Sequence, residues 1–157
     1  NKQIRKEVYT REPIGNASKS ATKKGNFFII SCLPLIELIN PWLSMCQKIN
    51  ANNFGYDIHW NFHLDALNYN VYEKEDEYDW HIDCNEGMKD SKLTCLLNLS
   101  EEPYEGGNFK LISTSDEIKF NSGMALIFNS LIGHRVSPIT KGERLTLTYW
   151  ATGPTWR

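Results

Sequence analysis

The triplet His81-Ile82-Asp83 sets an imidazole and a carboxylate two residues apart within a run of β-forming residues. In an extended strand alternate side chains point to the same side, so the two would project together. Ionisable groups aimed into a β-sandwich are costly to bury unless something compensates them. A divalent metal would do so. Two imidazoles and one carboxylate, with coordination positions left open, suit non-haem Fe(II). The same three groups could hold a zinc-bound water, so residue types alone leave the metal open. The second imidazole is expected from His134, which follows an apolar strand and a turn over 127–133. His59 and His63 are weaker candidates. They lie in the run 58–63, read as an edge strand, where a histidine is more often a surface residue than a ligand.

Arg144 opens a second run, Arg144-Leu145-Thr146-Leu147-Thr148-Tyr149-Trp150. Alternation puts Arg144, Thr146 and Thr148 on one face and Leu145, Leu147 and Tyr149 on the other. A guanidinium entering the sandwich beside two hydroxyls needs an anion, and its fork matches a carboxylate in bidentate fashion. An ordinary ion pair with Glu143 is the bland alternative. It would win for the arginine taken alone. It loses force beside His81, Asp83 and His134. A zinc hydrolase, or another metal enzyme on a sandwich, would have no use for such an arginine.

These residues must be held by strands. After Gly55, short β-prone runs alternate with turn residues at the spacing of a sandwich or barrel. The runs fall at 58–63, 68–72, 79–82, 93–99, 107–112, 118–120, 125–129, 134–136 and 145–151. They predict a mainly β fold with flanking helices, a jelly roll of two four-stranded antiparallel sheets over 54–157. Gly106-Gly107 is assigned to a hairpin turn. Residues 27–53 are expected to brace the sheets. Phe27 to Ile30 is a strand or a helix entry, which periodicity does not separate. Asn40-Pro41 reads as an N-cap with proline at the first helical position, starting an amphipathic helix that runs to about Asn52. Residues 1–26, rich in Lys, Ser, Thr and Asn, are expected to form an extended or partly disordered arm. No repeat and no second domain is visible.

Composition limits the alternatives. The chain has 157 residues, enough for one domain with a genuine core, and a formal net charge of −2. That disfavours a nucleic-acid partner bound by bulk electrostatics. The longest apolar stretch, 27–39, is interrupted by Ser31, Pro34 and Glu37, so no membrane span is expected. The polar residues 1–6 do not resemble a secretory signal. Cys32, Cys46, Cys84 and Cys95 are widely spaced without a Cys-x-x-Cys pair, which reads as free thiols in a reducing cytoplasm.

Over about residues 54–154 the sequence resembles the Fe(II)/2-oxoglutarate dioxygenases of the prolyl 4-hydroxylase-like group, particularly compact bacterial and phage members. The resemblance is carried by Tyr78-Asp79-Trp80-His81-Ile82-Asp83, Leu93-Thr94-Cys95-Leu96-Leu97-Asn98-Leu99-Ser100 and Tyr104-Glu105-Gly106-Gly107. Gly123-Met124-Ala125-Leu126-Ile127-Phe128, His134-Arg135-Val136-Ser137-Pro138 and Lys141-Gly142-Glu143-Arg144 complete it. It implies that His81, Asp83 and His134 bind iron and that Arg144 binds the distal carboxylate of 2-oxoglutarate, with Thr146 or Thr148 nearby. It implies that Tyr72 lines the co-substrate pocket and that Thr94 and Asn98 add hydrogen bonds to the co-substrate. Trp80 and Trp150 are read as core before pocket wall. The expected cofactors are Fe(II), 2-oxoglutarate and O₂, with ascorbate as reductant.

The implied reaction is hydroxylation of an amino-acid side chain, peptidyl proline first, with 2-oxoglutarate converted to succinate and CO₂. Relatives also hydroxylate free amino acids and other substrates. Asp83 favours hydroxylation over halogenation, because halogenating relatives lack that carboxylate. Nucleic-acid demethylation is disfavoured because the second arginine typical of those enzymes is missing after Arg144. The implied partner is a peptide or protein containing proline, lying across the mouth of the site. The acidic loop 73–77, the segment 84–90 and the N-terminal arm are the candidate contacts.

Overall fold

The computed structural model describes residues 2–10, 22–85 and 88–156, with side chains only to Lys6 in the first segment. Among the described residues, eleven strands follow one another as β1 (Lys23–Lys24), β2 (Asn26–Ser31), β3 (Ala66–Tyr72), β4 (Glu77–His81), β5 (Ser91–Asn98), β6 (Glu105–Gly106), β7 (Phe109–Leu111), β8 (Ala125–Asn129), β9 (His134–Val136), β10 (Ile139–Lys141) and β11 (Arg144–Thr152). Two helices are described, α1 (Lys2–Thr10) and α2 (Ile36–Ile49).

The strands form a jelly roll. Its larger sheet has the order β2-β3-β11-β5-β8 and the smaller one β1-β4-β9-β7, with β10-β6 as a separate two-stranded piece. All paired strands are antiparallel. The larger sheet exceeds the four strands expected, because Asn26–Ser31 adds an edge to β3. That settles Phe27 to Ile30 as strand.

Alternation divides the larger sheet cleanly. Leu67, Tyr69, Leu93, Cys95, Leu145, Leu147 and Tyr149 join one buried cluster with Leu35, Ile39, Trp42, Leu43 and Cys46 of the α2 region. Apolar area removed from water is what holds this layer, at roughly 1.5–3 kcal/mol per large side chain. The opposite face turns Asn70, Tyr72, Arg144, Thr146 and Thr148 toward the smaller sheet. A second, smaller cluster of Leu96, Phe109, Phe120, Phe128 and Val136 closes the space between the sheets.

Three expectations are corrected. Helix α2 begins at Ile36, after a 3-10 turn at Leu33–Leu35, so Pro41 lies inside it rather than at its start. The missing N–H of Pro41 leaves only the Glu37 carbonyl without its bond, and both residues lie on the exposed face. Burial of Leu35 and Ile39 carries the apolar stripe back past the proline. The helix ends through a π-turn at Asn50–Phe54, with Gly55 in the left-handed conformation at φ 68°.

Second, the run 58–63 is not a strand. The edge of β3 is already taken by β2, so Trp60 and Phe62 pack on the Tyr149 ring instead, with centroids 6.2 and 5.6 Å away. Residues 118–120 likewise give only a single bridge, between Phe109 and Ile118.

Third, the arm over 1–26 is not extended throughout. Lys2–Thr10 is helical, with Ile4 buried and Arg5 paired to Glu143 at 3.3 Å. Residues 22–26 turn into β1 and the start of β2. The rest of the arm, 11–21, and residues 86–87 of the 84–90 segment lie outside the described residues.

Candidate metal and co-substrate site

Strands β4 and β9 pair so that His81 stands directly opposite His134. Their ring centroids are 4.1 Å apart. Just past the end of β4, the amides of Asp83 and Cys84 both bond to the Ser130 carbonyl, at 3.1 and 3.0 Å. This returns the chain so that Asp83 points inward while Ile82 is exposed. His81 Nε2 lies 3.6 Å from Asp83 Oδ1, and His134 Nε2 lies 3.5 Å from Asp83 Oδ2. One ligating atom from each residue falls within a 4.8 Å span. His59 and His63 are exposed and stand apart from this cluster.

The histidines are oriented as metal ligands would need to be. His81 Nδ1 lies 2.7 Å from the Asp79 carbonyl and His134 Nδ1 lies 3.0 Å from the Ile132 carbonyl. A carbonyl only accepts, so each Nδ1 carries the proton and each Nε2 turns its lone pair to the centre. Burial, with the neighbouring His134 and Lys23 charges, lowers the His81 pKa to about 4 against opposing contributions from the Asp79 carbonyl and Asp83. The imidazole is therefore neutral at physiological pH. Asp83 is held in turn by Thr94, whose hydroxyl donates to Oδ2 at 2.6 Å. Ser130 and Ser91 extend that hydroxyl chain at 3.0 and 2.9 Å. Two imidazoles with their Nε2 atoms turned to the centre, one anchored carboxylate and a hydroxyl behind it fit a divalent cation such as Fe(II).

The cavity beside this cluster has a volume of about 220 Å³. Arg144 lines it and is 1% exposed. Glu143 turns away to Arg5, so the ion pair that would have explained Arg144 blandly does not form. No carboxylate of the described residues lies within ion-pairing distance of the guanidinium, and its Nε has no hydrogen-bond partner there. Burial pulls its pKa down, with Tyr72 and the hydrogen-bonding Tyr104 opposing that shift. A buried, unneutralised guanidinium facing a cavity is the chemistry of a carboxylate receptor.

The other expected residues divide. Tyr72 lines the cavity with its ring 5.3 Å from the Arg144 guanidinium carbon. Burial raises its hydroxyl pKa. Thr146 and Thr148 line the cavity too, and both hydroxyls accept from Asn70 Nδ2, at 3.4 and 3.0 Å. Thr94 serves Asp83, as described. Asn98 is drawn into the loop after β5: its Nδ2 donates to the Tyr104 hydroxyl and the Phe120 carbonyl, and its Oδ1 accepts from the Ser100 amide. It is not a cavity wall.

Trp150 is a cavity wall, whereas Trp80 is 40% exposed and stacks under Arg135. Gly106 and Gly107, both at positive φ, serve close cross-strand approach rather than a hairpin tip. A Cβ on Gly106 would meet the Pro138 carbonyl at 2.1 Å, and one on Gly107 would meet the Arg144 stem at 2.9 Å.

Three residues were missed from the sequence. Lys23 enters the cavity from β1, and Asn70 bonds it at 2.8 Å. Tyr78 stacks on His81 with centroids 3.5 Å apart. Asn70 was readable as a neighbour of Tyr72 on the same strand face, whereas Tyr78, three residues before His81, meets it only through the irregularity of β4 between them. Lys23 sits in a polar stretch with no such signal.

The family model described as the 2OG-Fe(II) oxygenase superfamily matches residues 67–152. The chain belongs to that superfamily. The match covers His81, Asp83, His134 and Arg144. A PKHD-type hydroxylase of Shewanella oneidensis is 33% identical over 90 residues, which is 52% of this chain and 40% of that protein. One from Aliarcobacter butzleri is 27% identical over 146 residues, covering 87% of this chain and 63% of the relative. This oxygenase chain thus spans less than two thirds of the curated relatives it matches.

Among solved structures, a Pseudomonas putida prolyl-4-hydroxylase aligns with a TM-score of 0.74 at 18% identity, covering 97% of this chain and 83% of that one. A viral collagen prolyl hydroxylase from Paramecium bursaria Chlorella virus-1 gives 0.69 at 16%, covering 97% and 88%. A Trichoplax adhaerens prolyl hydroxylase, solved with a hypoxia inducible factor peptide fragment, gives 0.73 at 18%, covering 96% and 75%. At these identities the likeness establishes the shared fold. No helix among the described residues is long and apolar enough to cross a membrane.

Proposed function

We propose that this oxygenase is an Fe(II)- and 2-oxoglutarate-dependent hydroxylase of an amino-acid side chain, with peptidyl proline as its substrate. The observation that carries the reading is Arg144, a buried guanidinium with no carboxylate partner among the described residues, in one cavity with His81, Asp83 and His134. A metal hydrolase on the same scaffold would have no reason to bury that charge. In this reading His81, Asp83 and His134 hold Fe(II), and Arg144 binds the distal carboxylate of 2-oxoglutarate. The bound iron supplies the oxidising chemistry, coupling conversion of 2-oxoglutarate and O₂ to succinate and CO₂ with insertion of oxygen into a C–H bond.

The protein's own part is positional. Thr94 fixes Asp83, the Asp79 and Ile132 carbonyls fix the imidazoles, and Tyr72 and Thr146 line the path between Arg144 and the metal ligands. Buried walls restrict water around the reacting groups. Ascorbate is the expected reductant for enzyme oxidised without substrate, and the cytoplasm the expected compartment. A near-neutral charge supports a peptide rather than a nucleic acid as partner.

The test is to incubate the chain with Fe(II), 2-oxoglutarate, ascorbate and O₂ together with proline-containing peptides and to read peptide masses. A gain of one oxygen, mapped to proline and absent without 2-oxoglutarate, is expected. Turnover of 2-oxoglutarate with every peptide left unmodified would remove peptidyl proline and leave a free amino acid or other small substrate.

A further inference from the structure

Part of what surrounds Arg144 lies outside the co-substrate cavity. The guanidinium carbon stands 5.3 Å from the Tyr72 ring centroid and 5.4 Å from that of Phe120. Tyr72 is a wall of the cavity, whereas Phe120 belongs to the small apolar cluster between the sheets. The backbone of Phe120 is tied down at its carbonyl, which accepts from both the Tyr104 hydroxyl and Asn98 Nδ2. Asn98 Nδ2 also donates to that hydroxyl, at 2.9 Å. Tyr104 and Arg144 meet at Gly107, where an added Cβ would lie 2.9 Å from Arg144 Cδ and 3.2 Å from Tyr104 Cε2. The bare glycine lets the ring and the arginine stem close on each other.

These contacts leave the Tyr104 hydroxyl no freedom. The Phe120 carbonyl only accepts, so it takes the single hydroxyl proton. The Asn98 amide nitrogen only donates, so it takes one lone pair. The second lone pair is left for Arg144, whose side-chain hydrogen bond with Tyr104 opposes the effect of burial on the guanidinium. A guanidinium carries its donors in a rigid plane, so fixing one N–H fixes the direction of the others.

We propose that Tyr104 is a positioning residue for the co-substrate: its hydroxyl, locked by Asn98 and the Phe120 carbonyl, sets the angle at which Arg144 presents its fork to the distal carboxylate of a 2-oxo dicarboxylic acid. The inference rests on the proposed use of 2-oxoglutarate and adds to it a residue that need not touch the ligand. Tyr104 borders a surface hollow with Asn108, Lys119 and Asn121, and does not line the cavity. Asn98, also outside the cavity wall, gains a role through Tyr104 in place of direct contact.

The test uses the chain loaded with Mn(II), which binds without turnover. Calorimetry follows 2-oxoglutarate and 2-oxopentanoate, which has a methyl group in place of the distal carboxylate. Tyr104→Phe keeps the ring, and the Phe120 carbonyl keeps Asn98 as a donor, so no buried acceptor is left bare. The variant should bind 2-oxoglutarate roughly fivefold or more weakly, about the worth of one hydrogen bond. Affinities for 2-oxopentanoate and Mn(II) should not change. Arg144→Met should abolish the preference for the dicarboxylate, and adding Tyr104→Phe to it should then change nothing further. Unchanged 2-oxoglutarate affinity in Tyr104→Phe would overturn the proposal. So would equal losses for both acids, the mark of a merely structural role, or a further loss in the Arg144→Met background. If the wild-type chain with Mn(II) bound neither acid, or bound both equally, the proposed function itself would fail and this inference with it.

Discussion

Asp83 reaches the centre of the site with one oxygen already engaged by the Thr94 hydroxyl. That bond decides which way the carboxylate faces, so it matters more to the metal than to the fold. Thr94→Val keeps the shape and removes the donor. The expected result is a tenfold or greater loss of Fe(II) affinity, measured by competition with a chelating dye, with little change in thermal stability. Loss of stability without loss of metal affinity would assign Thr94 to the core instead. Lys23 behaves in the opposite sense. Its pKa falls from the ordinary lysine value of 10.5 to about 8 on folding, so between those values the unfolded chain binds the extra proton. Stability contributed by this group rises with pH across that window and is lowest below pH 8. Lys23→Met should therefore stabilise the ligand-free chain near pH 7, by at most about 3 kcal/mol, and the gain should shrink toward pH 10. Urea melts of both proteins at pH 7 and pH 10 read the difference directly.

At the scale of elements, β11 was legible because it writes its two faces into alternate residues, whereas the His81 and Asp83 pair straddles the end of β4 and is set by the turn held at the Ser130 carbonyl. Arg144, Thr146 and Thr148 face the cavity while Leu145, Leu147 and Tyr149 face α2. His81 and Asp83 turn inward while Ile82 is exposed. The start of α2 was not legible, because a proline that suits a first turn also survives inside a helix on its solvent face. Lys23 was not legible either, since nothing local says that a two-residue strand will dock on β4. The roles of Thr94 and Asn98, on one face of β5, differ for a reason of tertiary contact: one end of the strand meets Asp83, the other meets Tyr104 and Phe120. The β6–β10 pair has its own consequence. Gly107 stands at φ 60°, and a methyl there would collide with the Ile139 side chain at 2.4 Å and the Arg144 stem at 2.9 Å. Gly107→Ala should cost roughly 1–3 kcal/mol in strain and displace the guanidinium. Its 2-oxoglutarate affinity should fall while Fe(II) affinity holds, because β6 and β10 pair with each other and not with the strands that carry His81 and His134. Equal loss of both would show that the defect is global.

The whole molecule is two sheets with unequal duties. The larger one spends one face on a buried apolar layer with α2 and offers the other as a polar wall. The smaller one contributes His81, His134 and Lys23, which line the space between the two sheets together with Arg144. Fold and family follow from patterns repeated along the chain. Substrate identity does not, because the candidate contact loops 73–77 and 84–90 carry charge but no period. The account stands or falls on whether the cavity consumes 2-oxoglutarate through the His-Asp-His centre. Anaerobically prepared protein given Fe(II) and 2-oxoglutarate, then O₂, should form succinate, and Arg144→Ala and His134→Ala should each reduce the rate by at least about a hundredfold, the loss of one buried charge-assisted interaction or one ligand. Succinate formed equally well by both variants, or none formed by wild-type protein with iron demonstrably bound, would contradict it.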